Sequence, residues 1–227
     1  DKNMFKKLII AAISASFVFS AALADSTNIG VRISAADLSA SGTHTTDQAT
    51  TVTEASRSSD FTLPSIFVER QFDLAEYMDT EASVSFGLDF VPLSAILTSK
   101  NSGTGVDADI KAGNLITAYI QPTFSVNEDV SVFAKIGYAQ GDLEVSNVTR
   151  ATNTDGETAP TDTKADLTLE GPVYGIGAQL NNEGGVFFRL EATVTDFDTV
   201  SYTNSNSKKL TADAELETIT LTVGKSF

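Results

Sequence analysis

The sequence predicts an all-β fold: an eight-stranded antiparallel up-and-down β-barrel that crosses a membrane. Eight segments alternate apolar with polar residues, the connections between them alternate long with short, and the last segment ends the chain on Phe227. Because successive side chains of a β-strand point to opposite faces, each segment has one apolar and one polar face. This pattern is typical of a barrel wall with lipid outside and a polar lumen inside.

The amino end carries the features of an export signal. Residues 4–24 combine two lysines, an apolar run that ends at Phe19 and an Ala-Leu-Ala cleavage site before Asp25, which together predict a secretory signal peptide. The alternative, a transmembrane helix, is disfavoured because the apolar run is shorter than the roughly 20 residues that a span needs. Residues 1–3 precede the signal and are interpreted as an upstream remnant, so the predicted barrel domain is residues 25–227.

Composition excludes several classes of protein. The formal net charge of −15 becomes −17 once residues 1–24, with three lysines and one aspartate, are removed. Nucleic-acid binding is therefore not expected, because that affinity comes mainly from neutralised phosphates. The chain has no cysteine, so export implies no disulfide framework. The mean hydropathy is +0.00, and no long apolar run follows the signal, which excludes a helical membrane protein and is compatible with a barrel.

The connections are sorted by length. Long polar connections are predicted at 42–60, 92–113, 146–165 and 199–211, and short ones at 73–79, 127–129 and 181–184. A soluble sandwich has no reason to alternate its connections in this way, whereas a membrane barrel has short turns at one end and long loops at the other. Pro122 lies inside the fourth predicted strand and predicts a bulge or local distortion, because proline removes a ladder hydrogen bond.

Aromatic residues near the strand ends predict two interfacial girdles, since such rings concentrate where the membrane meets water. About five outward apolar residues per strand lie between the girdles, which matches the roughly 9–11 residues of a tilted spanning strand. The predicted lower girdle contains Phe72, Phe124, Phe188 and Phe227, and the predicted upper girdle contains Phe61, Phe90, Tyr138 and Phe197.

The carboxyl-terminal strand is the most specific motif. Apolar residues alternate with small polar ones up to the last residue, in the order Ile219, Leu221, Val223 and Phe227. This pattern resembles the closing strand of small bacterial outer-membrane barrels, in which it is read by the barrel-assembly machinery. Lys225 departs from that pattern, because the family usually places an aromatic or apolar residue there.

With the strands placed, residues 28–227 resemble the opacity-protein and OmpA-type barrel families, and OmpW-like barrels less closely. The resemblance depends on alternation, turn placement and the closing strand, so it implies an architecture more than an activity. It implies a location in the bacterial outer membrane, short periplasmic turns, long external loops, and contact with outer-membrane lipid and lipopolysaccharide.

The predicted lumen contains seven charged side chains: Arg32, Glu69, Glu81, Asp89, Lys135, Arg189 and Glu191. Charges held away from water are costly unless they pair, so we expect a structural plug of ion pairs. A narrow channel for ions or small solutes is the alternative. Eight strands leave an interior barely wide enough for its own side chains, which favours the plug.

Other chemistry has weaker support, and no catalytic, cofactor or metal residue is assigned. His44, the only histidine, is expected to be a solvated residue of the first external loop, which leaves a lipid A-modifying or proteolytic enzyme as the second alternative. The acidic pairs Asp196/Asp198 and Asp142/Glu144 are too generic for a metal site. The favoured hypothesis is a surface barrel with a role in envelope integrity, whose loops are available for adhesion to a host or cell-surface ligand.

Overall fold

The computed structural model describes residues 26–45, 55–74, 81–92, 95–99, 106–150, 165–203 and 209–227. The predicted signal peptide and the residues before it lie outside these ranges. The described residues include no helix with the length and hydropathy that a membrane span needs. The strands are β1 (Ser26–Thr45), β2 (Ala55–Asp73), β3 (Ala82–Val91), β4 (Ala95–Ser99), β5 (Val106–Ser125), β6 (Val130–Arg150), β7 (Ala165–Asn181), β8 (Val186–Thr203) and β9 (Lys209–Ser226).

The sheet closes into a barrel with eight strand positions around its wall, as predicted. Each position is called a stave below. β1 pairs with both β2 and β9, and each further strand pairs antiparallel with its neighbour around the ring. β3 and β4 are two parts of one stave, because both pair with β5, β3 along 115–124 and β4 along 108–112. At the chain end, the amide of Phe227 and the amide of Thr27 each donate to the other's carbonyl at 2.9 Å, which joins the last residue to the first stave.

The register of the ladders fixes the tilt and width of the barrel. A row of cross-strand partners that starts at Asn28 passes once around the barrel and returns to β1 at Leu38, ten residues further along. With strands about 4.8 Å apart and a rise of about 3.3 Å per residue, this stagger tilts the strands by about 40°. Such a barrel encloses a space that its own side chains can fill.

The strands are longer than the alternation predicted, and the predicted long loops are wrong in extent. β1 continues to Thr45, paired with Lys209, and β4 lies within the connection predicted at 92–113. A ladder needs backbone partners rather than an apolar face, and the β-branched threonines of these segments suit extended backbone. At a tilt of about 40° the 20 residues of β1 extend roughly 50 Å along the axis, about twice the roughly 25 Å apolar band of such barrels.

The two short turns that the structure describes are where they were predicted. Residues 126–129 join β5 to β6 and residues 182–185 join β7 to β8; this end of the barrel is called lower below. Most of the third short connection, 73–79, lies outside the described residues. Of the bulge or local distortion predicted at Pro122, the structure shows the local distortion: the β5–β6 register is unchanged from Ile120/Ile136 to Thr123/Phe133, but the ladder omits the two pairs between.

Two ladders are shorter than their neighbours. The β2–β3 pairing ends at Ile66 and Phe90, although β1–β2 continues to Ala55 and β4–β5 continues to Ser99. The β7–β8 pairing ends at Val173 and Thr195, although β6–β7 continues to Ala165 and β8–β9 continues to Thr203. Just above the last pair, the backbone of β8 crowds β7, since a Cβ atom at Gly171 would lie 2.0 Å from the Asp196 carbonyl oxygen. Above Val173 and Thr195, the described residues of β7 and β8 form no further ladder pairs.

Inward aromatic rings lie on glycines of the neighbouring strand. At Gly87 a Cβ atom would lie 2.2 Å from the Tyr119 ring, and at Gly177 it would lie 2.3 Å from the Phe133 ring. Each glycine leaves the space that its partner's ring occupies, so the rings lie close to the wall. Four directly paired positions show this arrangement: Gly30/Phe67, Gly87/Tyr119, Gly177/Phe133 and Gly224/Phe187.

Replacing Gly87 by alanine should destabilise the barrel by about 1–3 kcal/mol, because the new methyl group displaces the Tyr119 ring. The measurement is urea unfolding after refolding in detergent. In a Tyr119→Ala background the same substitution should cost much less, since the three atoms nearest the new Cβ all belong to the Tyr119 ring or hydroxyl. Equal costs in the two backgrounds would contradict the proposed ring–glycine contact.

Candidate functional site in the barrel lumen

Glu69 is at the centre of the lower lumen. Its side chain is fully buried, and its carboxylate accepts hydrogen bonds from Arg189 Nη1 at 3.0 Å, from the Tyr119 hydroxyl at 2.9 Å and from Asn28 Nδ2 at 2.9 Å. A second contact joins Arg189 Nη2 to Oε1. Residues from β1, β2, β5 and β8 thus meet on one carboxylate, which ties together staves across the barrel.

Two further ion pairs complete the network. Arg32 donates to Asp89 Oδ2 at 2.7 Å and to the Tyr119 hydroxyl at 3.0 Å, so Tyr119 links this pair to Glu69. Lys135 donates to both carboxylate oxygens of Glu191 at 2.5 Å. Buried charges that are both paired and hydrogen-bonded avoid most of the cost of leaving water. The arrangement matches the predicted plug of ion pairs.

The network has equal numbers of positive and negative groups, because Glu81 is not part of it. Six of the seven predicted residues come together as three pairs: Arg32/Asp89, Lys135/Glu191 and Arg189/Glu69. Glu81 has the inward parity, but it precedes β3 at the lower rim and its side chain is exposed. Its inclusion in the network was wrong, since a carboxylate at the rim stays hydrated and needs no partner.

Aromatic rings enclose the cations. The Arg32 guanidinium lies 4.3 Å from the Phe67 ring centroid, Lys135 Nζ lies 4.4 Å from that of Tyr119, and the Arg189 guanidinium lies 4.5 Å from that of Phe187. These distances are within the range of cation–π attraction, which strengthens as water is removed. The same rings that rest on glycines therefore also hold the charged groups in place.

Above the network the lumen is apolar, which the sequence analysis did not predict. A buried cluster fills it, composed of Ala36, Ala139, Leu169, Val173, Phe197 and Leu216, with Leu38, Phe61, Leu63, Leu115, Val200 and Ala214 packed against it. The assignment of Phe61 and Phe197 to the upper girdle is therefore wrong. Parity could have shown this, because Phe197 falls on the same face as Glu191, Thr193 and Thr195, which were predicted to point inward.

The remaining girdle residues lie on the outer face. Phe124, Phe188 and Phe227 are about half exposed or more, at 46%, 50% and 68%. Phe72 packs edge-on against Phe86, with ring centroids 5.8 Å apart. Tyr138 is also on the outer wall but is buried beside Ala118, with Phe86 and Leu88 packed against it. The lower girdle is thus as predicted, and the upper girdle has fewer members.

Little space is left between the two layers of the lumen. A cavity of about 60 Å³ separates them, with Arg32 and Lys135 on its charged side and Leu63 and Leu216 on its apolar side. Since one water needs roughly 10–15 Å³ of such volume, the cavity accommodates a few waters and no larger solute. The lumen is thus closed by a charged layer below and an apolar layer above.

The other candidate residues are not brought together into a site. Among the described residues, no group of three or more His, Asp or Glu could hold a metal ion. Asp198 accepts a 3.4 Å hydrogen bond from the Tyr138 hydroxyl, and Asn114 donates to Asp142 at 3.2 Å. His44 is not in a loop as predicted: its backbone belongs to β1 and pairs with Leu210, because the ladder with β9 continues past it.

The closing strand has the predicted faces. Ile219, Leu221 and Val223 point outward with exposures of 61%, 59% and 46%, and Phe227 is 68% exposed at the lower rim. Lys225 Nζ lies 5.4 Å from the Phe227 ring centroid, so the one residue that departs from the motif contacts its terminal aromatic. The role of this strand as an assembly signal stays a prediction.

A closed eight-stave barrel with an apolar outer band and a filled lumen defines the class: a small transmembrane β-barrel of the outer-membrane type. The family model described as the outer membrane protein beta-barrel domain matches residues 9–227, and the chain belongs to that family. Its location is the bacterial outer membrane, and its type is the opacity/OmpA-like barrel.

Several solved structures are similar to this chain. OprG from Pseudomonas aeruginosa is 15% identical, with 90% of this chain and 96% of that chain covered and a TM-score of 0.53. Ail, the attachment invasion locus protein of Yersinia pestis, is 14% identical, with 88% and 98% covered and a TM-score of 0.46. Neisserial surface protein A is 12% identical, with 87% and 97% covered and a TM-score of 0.39. No curated protein matches the sequence.

Glu69→Gln should destabilise the barrel by about 3–5 kcal/mol, because it leaves the Arg189 charge buried without its counter-ion. Glu81→Gln is the matched control and should change stability by less than about 0.5 kcal/mol, since Glu81 is exposed. Urea unfolding of the refolded proteins in detergent measures both. If the two substitutions cost the same, the Glu69 network does not have the structural importance described here.

Proposed function

We propose that the protein is a closed surface barrel that contributes to the structure of the outer membrane and presents its upper wall and connections to ligands outside the cell. The observation that carries the proposal is the double closure of the lumen, by paired charges below and apolar side chains above. A barrel with a lumen filled in this way is a rigid scaffold and not a channel for solutes.

Energetics favour the plug over a channel. A continuous path would require separation of the buried ion pairs around Glu69 and Glu191, and breaking one such pair typically costs about 3–5 kcal/mol. It would also require displacement of Phe197 and its neighbours from the apolar layer. Neither layer is a single constriction that one rotamer change could open, so opening would need both to rearrange.

The length of the strands supports a role in surface contact. The upper parts of β1, β2, β6 and β8 continue well past the apolar band, so the connections between them begin far from the lipid. Binding residues commonly lie on loops that a rigid scaffold positions. The formal net charge of −15 favours neutral or basic partners over polyanions, because like charges repel over about a Debye length.

We do not propose an enzymatic role. The enzymatic alternative depended on His44 as a catalytic group in an external loop, and the strand continues past that residue. The charged residues of the lumen are engaged with one another and closed off above by the apolar layer, so they are not placed to meet a substrate from outside.

In planar bilayers the purified protein should give no steady conductance steps, because both layers of the lumen are filled. The positive control is the double variant Tyr119→Ala/Phe197→Ala, which removes one large ring from each layer and should introduce measurable conductance. Reproducible steps from the unmodified protein would favour the channel alternative over the closed barrel.

Cells that produce the protein should bind a basic or neutral surface more strongly than cells without it. Exchange of residues 151–164, the connection between β6 and β7, for a short Gly-Ser linker should lower this binding while heat-dependent gel migration still shows a folded barrel. The matched control is the same exchange at the lower turn, residues 182–185, which should leave binding unchanged. Binding that is unaffected by the upper exchange would argue against a contact through this connection.

A further inference from the structure

The outer wall has a trough that the proposed function does not use. It has a volume of about 1140 Å³, crosses β2, β1, β9, β8 and β7, and reaches β6 at Lys135. Its lower side consists of outward apolar residues in one row of cross-strand partners, and its upper side consists of the next row. The residues that matter most in the lower row are Ile176, Ala192, Ile219 and Ala35.

The concave shape follows from side-chain size. Ala35 and Ala192 are short, whereas Ile176 and Ile219 project from the wall with exposures of 69% and 61%. Two methyl groups between longer side chains leave a depression that is apolar. The row belongs to the outward apolar band, which faces hydrocarbon in a barrel of this type. The occupant that this position favours is therefore a lipid acyl chain.

The upper side of the trough is acidic. Asp37 is the direct cross-strand partner of both Glu217 and Asp60, so three carboxylates lie side by side on the outer face. Like charges directly opposite one another destabilise a sheet. Among the described residues, no basic side chain pairs with these carboxylates: Lys135, which also lines the trough, is paired with Glu191 in the lumen. The Ser39 hydroxyl donates a 3.5 Å hydrogen bond to Asp37. A cation from outside the chain would relieve this repulsion.

We propose that the trough binds a membrane lipid whose headgroup carries a primary ammonium group, with its acyl chain along Ala35 and Ala192 and its ammonium at Asp37 and Glu217. An ammonium group brings both a positive charge and three hydrogen-bond donors to the carboxylates. A choline headgroup has the charge without the donors, and an anionic headgroup is repelled. The site therefore selects among lipids by headgroup, on the outer wall and separately from any ligand of the external connections.

Lipid selectivity can be measured at this position with a single fluorophore, because the chain contains no tryptophan. The Ile176→Trp variant is reconstituted in phosphatidylcholine bilayers, and quenching is compared for brominated phosphatidylethanolamine, phosphatidylcholine and phosphatidylglycerol. The ethanolamine lipid should bind roughly threefold to tenfold more tightly than the choline lipid, and the glycerol lipid more weakly than both. Ile219→Trp is the second probe if Ile176→Trp does not fold.

The matched control is Ile116→Trp on β5, on the opposite wall. Ile116 is an outward apolar residue with 49% exposure, and its cross-strand partners are Phe90 and Gln140, so no carboxylate lies directly beside it. At this position the ratio of the affinity for the ethanolamine lipid to the affinity for the choline lipid should be close to one. In the Ile176→Trp background, the double substitution Asp37→Asn/Glu217→Gln should lower the ethanolamine preference to the control value, with heat-dependent gel migration confirming a folded barrel.

Three results would overturn the proposal. Equal selectivity at positions 176 and 116 would mean that the trough is ordinary lipid-facing wall. Selectivity that survives the double substitution would exclude the carboxylates as its cause. Tighter binding of phosphatidylglycerol with Mg²⁺ than of phosphatidylethanolamine would mean that a divalent ion, rather than an ammonium group, neutralises the acidic row.

Discussion

The structure depends on the requirement that every charge inside a narrow lumen has a partner. Glu69 on β2 accepts hydrogen bonds from side chains on three other strands, Arg189, Tyr119 and Asn28, so that four strands meet at one carboxylate. A carboxylate so far from water is costly unless its hydrogen-bonding capacity is used. Because the donors come from different staves, the need to satisfy one side chain also fixes the relative positions of the strands that carry them.

The glycine–aromatic pairs make this packing geometrically possible. At the height of the ion pairs, the interior of an eight-stave barrel with a ten-residue stagger has little room for rings that project towards the axis. The Tyr119 ring lies instead over Gly87, and Phe187 over Gly224, which leaves the axis to the charged groups. The rings also provide the faces on which Lys135 and Arg189 rest. Wall, rings and ion pairs therefore depend on one another.

Alternation in the sequence was sufficient to predict which face of each spanning strand meets lipid. Ile219 and Leu221 lie outward, and Arg32, Glu69 and Glu191 lie inward, because the contrast between lipid and lumen enforces a two-residue period there. The odd or even position of a residue in its strand indicates which face it is on, but it does not indicate the height of that residue along the barrel axis. It therefore assigned Glu81 to the lumen although that residue lies at the rim, and it gave no warning that the partners of Arg32 would be Asp89 and Tyr119.

Above the apolar band, the alternation of apolar and polar residues no longer indicates which face of a strand points outward. Outward residues there face water and inward ones can pack as a small core, so apolar side chains change sides, as Phe197 and Leu216 do. The expectation that apolar residues point outward therefore led to the wrong assignment of Phe197 to a girdle. The extent of the strands was missed for the same reason, because the segment of β1 that ends at Thr45 is held by backbone pairing and not by an amphipathic face.

The two short ladders, β2–β3 and β7–β8, divide the described wall into a lower and an upper part. In the lower part, backbone pairing continues around the whole cylinder, whereas the upper parts of the strands form two sheets, β2-β1-β9-β8 and β7-β6-β5-β4. Leu169 on β7 and Phe197 on β8 belong to the same buried cluster, so inward apolar side chains join the two sheets across the lumen. The cylinder is thus closed by backbone pairing near its turns and by side-chain packing farther from them.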